Sequence, residues 1–227
     1  VPQPKFLGRR VVDDVRLEDL VPYIDWTFFF SAWDLKGRFP KILDDPKQGA
    51  AARDLYENGR RLLDEIIAGR WLTPRAVYGF WPARSAGDDV VLFIDEAAAA
   101  SGGAEVVRFP MLRQQAVQGD DKASRALSDF VAPLGAQVAD HVGAFAVTSG
   151  GEADEIARRY QKDHDDYRAI LTKALADRLA EAFAEWLHEQ GRRELWGYAR
   201  DEHLSNEDII AERYQGIRPA PGYPACP

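Results

Sequence analysis

The stretch RAVYGFWPARSAGDDVVLFID, residues 75–95, holds two runs rich in β-branched and aromatic residues, RAVYGFWPA (75–83) and DDVVLFID (88–95), with SAG between them. Such residues suit a pleated, half-buried surface, and a short break containing glycine can join two runs as an antiparallel hairpin. Downstream, AEVVRFP (104–110) is a third strand candidate, and the alanine and glycine stretch before it reads as a loop. DHVGAFAVTSGG (140–151) reads as a buried strand ending in glycines. Helical spacing brackets these strands. AARDLYENGRRLLDEIIAGR (51–70) repeats Leu55, Leu62, Leu63 and Ile66 on one face. The longest helical region runs from Glu152 to about Gln190, with Asp163 to Asp166 as a possible interruption, and LSNEDIIAERY (204–214) starts behind the capping pattern of Ser205 and Asp208. RALSDFVAP (125–133) suits a short helix or turn. The N-terminal segment is mostly extended, with a short helix around LEDLVPYI, and TFFFSAW (27–33) should be buried. Strands come in short runs among long helices without βαβ alternation. The expected class is α+β: a mainly antiparallel twisted sheet with long flanking helices, in one domain.

Composition bounds what such a domain does. The chain has 227 residues, 46% hydrophobic and 29% charged, long enough for a substantial core. Its formal net charge of -8 gives no general affinity for nucleic acid or an anionic membrane. No apolar run reaches the length of a membrane span, and no signal peptide is visible. A single cysteine, Cys226, makes no internal disulfide and points to a cytoplasmic setting. The chain begins at Val1 rather than Met and ends within a loop, so both ends look like cuts in a longer polypeptide.

That final loop, GIRPAPGYPACP (216–227), has an unusual chemistry. Its prolines fix φ and remove backbone donors, so the loop loses little entropy on meeting a partner. Gly222 permits a positive φ or a close approach. After Arg218, only Ala220, Gly222 and Tyr223 keep N–H donors within RPAPGYP. Arg218 offers a planar fork suited to a carboxylate or phosphate, and Tyr223 a face that attracts cations. Together they suit a small zwitterion; the alternative is a rigid surface loop whose arginine pairs with a nearby acid.

Two further features admit a similar choice. In KALADRLAEAFAEWLHE (173–189), Leu175, Leu179, Phe183 and Trp186 form an apolar face, and Ala176, Ala180 and Ala184 recur at four-residue spacing. Asp177, Glu181 and Glu185 recur likewise on a third stripe, where like charges cost about 0.2–0.5 kcal/mol per pair. The stripe either faces something positive or is a solvated acidic face. Asp25, inside YIDWTFFF, either binds a ligand amine or caps a helix beginning at Trp26. Metal ligation is not expected: His141, His164, His188 and His203 are scattered, and HDDY (164–167) suits a helix start better than a cation. TSGG (148–151) is a strand-to-helix turn that could receive an anion or be a turn only.

Three separated, collinear segments, YIDWTFFFSAWDLKGRFPKIL, HDDYRAILTKALADRLAEAFAEWLHE and LSNEDIIAERYQGIRPAPGYPACP, closely resemble the activation module of cobalamin-dependent methionine synthase, over about Glu18 to Pro227. The resemblance implies a single S-adenosylmethionine-binding domain, residues 1–227, that presents this methyl donor to cobalamin when the corrinoid has been oxidised. Flavodoxin or a similar flavoprotein would supply the electron, and a cobalamin-binding module of the same polypeptide would be the docking partner. Residue by residue, Arg218 resembles the arginine that pairs with the methionyl carboxylate. Ala220, Gly222 and Tyr223 resemble loop positions that touch the ligand, largely through backbone. Asp25 resembles an aspartate that hydrogen-bonds it, and Glu181 and Glu212 resemble acids near the sulfonium. Asp177 resembles a residue on the face that meets the cobalamin module. The family's chain continues past YPACP with further strand structure and another aromatic ligand contact, which this sequence lacks. A non-catalytic S-adenosylmethionine-binding module, or a scaffold for a separate corrinoid protein, is the alternative.

Overall fold

The structure, a computed structural model, describes residues 2–115, 123–223 and 226. The sheet forms around the 75–95 stretch as expected. Strand β1 covers Gly8–Val12, a segment expected only to be extended, and is followed by the single-turn helix α1 (Leu17–Leu20). Helix α2 (Gly49–Gly69) leads into β2 (Arg75–Ala86), which is longer than the apolar run suggested. A turn at Gly87, with φ +62°, returns the chain as β3 (Asp89–Phe93), pairing Ala86 with Asp89 and Ala83 with Leu92. Gly87 therefore occupies the left-handed region that the hairpin requires.

The alanine stretch expected to be a loop is helix α3 (Glu96–Ser101), because Asp95 caps it by accepting the Ala98 N–H at 2.8 Å. β4 (Glu105–Pro110) then pairs with β3. β5 (His141–Thr148) pairs antiparallel with the first part of β2, so all four ladders are antiparallel. The 125–133 segment contains a 3-10 turn, Leu127–Phe130. Contrary to expectation β5 is not buried throughout. Only His141 is fully enclosed, while Phe145 and Val147 pack inward and Ala144, Ala146 and Thr148 face out. A strand with one partner and one covered face needs apolar residues only at alternate positions.

α4 (Glu152–Lys162) and α5 (Asp166–Gln190) are separated at the expected place, with His164 at φ +58° in the break. α5 is the central beam. Its Leu175, Leu179 and Phe183 have no exposed surface and join Leu62, Leu63 and Ile66 of α2 in one core. TFFFSAW divides: Phe29 and Phe30 enter that core, but Phe28 is 62% exposed. The segment Phe28–Trp33 is a 3-10 helix, so residues three apart share a face and not all its aromatics can turn inward. α5 runs into a π-turn, Gly191–Leu195, and α6 (Asn206–Ile210) follows behind the expected Ser205–Asp208 capping box. Among the described residues, no helix is long and apolar enough to cross a membrane.

Candidate functional site

α5 supplies the floor. Asp177, Glu181, Glu185 and His188 fall on one stripe, and Arg192 continues it into the π-turn. The stripe descends from solvent into protein: Asp177 and Glu181 are exposed, Glu185 and His188 are part-buried, and Arg192 has 0% exposure. A solvated acidic face therefore describes only its first half. The C-terminal loop covers the second half.

Arg218 reaches down from that loop, and its Nη2 donates to Glu185 Oε1. Burial pushes the Glu185 carboxyl above its usual range; Arg218 and Arg192 oppose this, while the neighbouring Glu181 charge adds to it. Beneath the pair, Arg192 forks onto Glu202, with Nε at 2.9 Å and Nη2 at 2.6 Å from Oε1. Arg192 Nη1 also donates to His188 Nδ1 at 2.8 Å, so that nitrogen carries no proton. Burial, together with the Arg192 and Arg218 charges, holds the His188 imidazole down to about 3. Tyr214 closes the cluster: the Arg192 guanidinium lies 4.5 Å from its ring centroid, and the His188 ring meets it edge-on at 4.8 Å. This packing anchors the chain between α6 and the proline loop.

The loop itself stands open. Ala220, Gly222 and Tyr223 are exposed, Tyr223 at 66%. Gly222 has φ +95°, as its identity suggested, but its N–H is used on the Cys226 carbonyl at 2.8 Å. Of the three backbone donors counted in the sequence, Ala220 and Tyr223 alone make no main-chain hydrogen bond among the described residues. Pro224, Ala225 and Pro227 of RPAPGYPACP lie outside those residues. Glu212 sits just past α6 at φ +55°, exposed, with its N–H on the Ile209 carbonyl at 2.9 Å.

Asp25 stands apart from this cluster. Its Oδ1 accepts the Thr27 N–H at 2.8 Å, but the 3-10 helix starts at Phe28 behind Thr27 rather than at Trp26, so Asp25 does not cap it, and no hydrogen bond or ion pair joins Asp25 to Arg218 or Glu181 among the described residues. Asn206 Nδ2 donates to the Ile24 carbonyl at 3.4 Å, which ties the start of α6 to the segment carrying Asp25. Asp177 points to the open face and pairs with Arg178 at 2.5 Å.

The structure thus joins Arg218 to the acidic stripe through Glu185, the pairing with a nearby acid that the sequence left open as the alternative. It also shows partners that the sequence did not single out: His188, Arg192, Glu202 and Tyr214. The helical spacing of Glu185 placed it on the stripe; nothing local linked Arg192 to Glu202. Two concavities, one lined by Tyr56, Glu57, Arg60 and Arg61, and one of about 450 Å³ between Tyr23, Trp186, Glu189 and Asn206, contain none of the expected site residues. The arginine, the acids and the loop form an open surface. TSGG proves to be a turn whose anion is its own. The Glu152 carboxylate is held below its usual range by its own N–H and by Thr73.

The residues fit a ligand bearing a carboxylate at one end and positive charge along its length. Arg218 uses one donor on Glu185, and its buried Nε has no partner among the described residues; Glu181 and Glu212 offer exposed carboxylates nearby. A crystal structure of the MetH reactivation domain bound to AdoHcy superposes with a TM-score of 0.92 at 48% identity, over 100% of this chain and 68% of that one. The family model for the activation domain of vitamin B12 dependent methionine synthase matches residues 16–227. Carrying that match over nearly its whole length, on the same antiparallel sheet and helices, the chain belongs to the activation-domain family of vitamin B12 dependent methionine synthase.

Proposed function

We propose that this chain binds S-adenosylmethionine on the surface between α5 and the proline loop and presents it to a cobalamin-binding module of the same polypeptide, in the cytoplasm, with flavodoxin or a similar flavoprotein as electron donor. When bound, S-adenosylmethionine supplies a methyl group already activated by its sulfonium, so the protein need contribute no acid or base. Arg218 pairs with the methionyl carboxylate. Ala220 and Tyr223 offer backbone N–H groups, Gly222 lets the loop approach closely, and Tyr223 offers its ring. Asp25, whose Oδ1 already accepts the Thr27 N–H, offers its other oxygen to the ligand as a hydrogen-bond acceptor. Glu181 and Glu212 offset the sulfonium, each full charge-assisted contact adding about 1.5–3 kcal/mol, and Asp177 belongs to the face that meets the cobalamin module.

The observation that carries this reading is the Arg218–Glu185 pair beneath an exposed, proline-braced loop. A methyl donor that must be handed to another module needs an open site whose own parts are already in place. Calorimetric titration of the full native chain with S-adenosylmethionine and S-adenosylhomocysteine tests it: saturable binding of both is expected, and no heat with either sinks the proposal.

A further inference from the structure

The Arg218–Glu185 ion pair is only half formed. Nη2 of the arginine donates to Oε1 of the glutamate, yet Glu185 Oε2 and Arg218 Nε are both buried without a hydrogen-bond partner among the described residues. An orphaned buried donor and an orphaned buried acceptor, each costly by itself, sit on two side chains that already touch. Guanidinium and carboxylate are matched forks. Setting Nε against Oε2 would satisfy both orphaned atoms and complete the pair on the side-on edge of the arginine. The end-on edge, Nη1 with Nη2, would then be held in a fixed plane for a second carboxylate.

We propose that Glu185 is the positioning residue for Arg218: it grips the side-on edge of the guanidinium from within α5, so that the end-on edge is presented to the ligand's carboxylate. The inference rests on Arg218 being the carboxylate-binding residue, as set out under the proposed function, and adds a residue and a reason. Arginine has a long, flexible stem. On an exposed loop it would have to be ordered by the ligand at the ligand's expense. Glu185 stands on a rigid helix, part-buried, one turn beyond Glu181. It therefore orders the fork beforehand without itself reaching the ligand.

The test uses two ligands with the same adenosyl thioether, S-adenosylhomocysteine, which carries the amino-acid carboxylate, and 5′-methylthioadenosine, which does not. Affinities for both are measured by calorimetry in the full native chain. Glu185→Ala is expected to weaken S-adenosylhomocysteine by about tenfold or more while leaving methylthioadenosine within about twofold, and Glu185→Gln, which keeps one acceptor, to fall between it and the wild type. Should Glu185→Ala fail to fold, the ligand preference of Glu185→Gln decides alone. Equal losses for both ligands, unchanged affinities, or tighter binding of S-adenosylhomocysteine would each overturn the inference. Arg218→Ala separates the two levels. If it abolishes the preference for the carboxylate ligand while Glu185→Ala does not, Arg218's role stands and that of Glu185 falls. If Arg218→Ala also leaves the preference intact, both fall.

Discussion

Glu181 and Glu185 stand one helical turn apart on α5 and meet different surroundings, Glu181 in solvent and Glu185 under the guanidinium of Arg218. Repetition at four-residue spacing shows that they share a stripe, but not how deep each lies, because depth is set by the loop that crosses them. The loop's stiffness, in contrast, was legible, since proline and glycine act on their own backbone. Two predictions belong at this scale. Arg218→Ala should weaken S-adenosylmethionine binding by at least about tenfold, about 1.4 kcal/mol, in a calorimetric titration, and a smaller loss would count against the carboxylate contact. Glu181→Gln should weaken S-adenosylmethionine more than S-adenosylhomocysteine, because only the former has a positively charged sulfur. Parallel losses for the two ligands would argue that Glu181 lies away from the sulfonium.

Elements were read well where periodicity is long and poorly where one contact decides. α2 and α5 announce themselves through apolar positions repeated over several turns. α3 has an alanine run with no apolar stripe, and only the Asp95 cap makes it a helix. Within α2, Gly59 is a residue that helix propensity disfavours by about 0.8–1 kcal/mol relative to alanine, so Gly59→Ala should stabilise an isolated helix. In the fold, a Cβ at Gly59 would stand 2.6 Å from Phe29 Cζ. Phe29 is 1% exposed and wedged against Trp26, Phe30 and Trp33, so its ring has nowhere to go. Overpacking of a full core costs about 1–3 kcal/mol, which equals or exceeds the propensity gain. Urea denaturation of Gly59→Ala should therefore show a net loss of up to about 2 kcal/mol; a gain would mean that Phe29 can give way to the added methyl.

At the scale of the molecule, one polar cluster fastens the C-terminal segment to α5, and its members come from places that no local pattern connects. Arg192 arrives through a π-turn, Glu202 from the segment after it, Tyr214 from beyond α6 and Arg218 from the proline loop. Such convergence is invisible in a sequence because each partner is ordinary where it stands. The cluster also has a pH dependence whose sign the geometry fixes. Burial first, and then the charges of Arg192, which donates to it, and of Arg218, keep His188 neutral in the folded protein down to about 3, against an unfolded value near 6.5. Its folded value is the depressed one. Well above its unfolded value, from about pH 7.5, both states are neutral at this residue and its contribution is constant. As pH falls below that, the unfolded chain takes up a proton that the folded chain refuses, and stability drops by up to about 1.4 kcal/mol per pH unit. Asparagine at the same position keeps an acceptor for Arg192 but has no proton to gain. Wild type should thus lose about 1–2 kcal/mol more stability than His188→Asn between pH 6.5 and pH 5, measured by urea denaturation at each pH. Parallel pH profiles for the two proteins would show that His188 is not enclosed between the two arginines, and that the C-terminal loop is not fastened to α5 in this way.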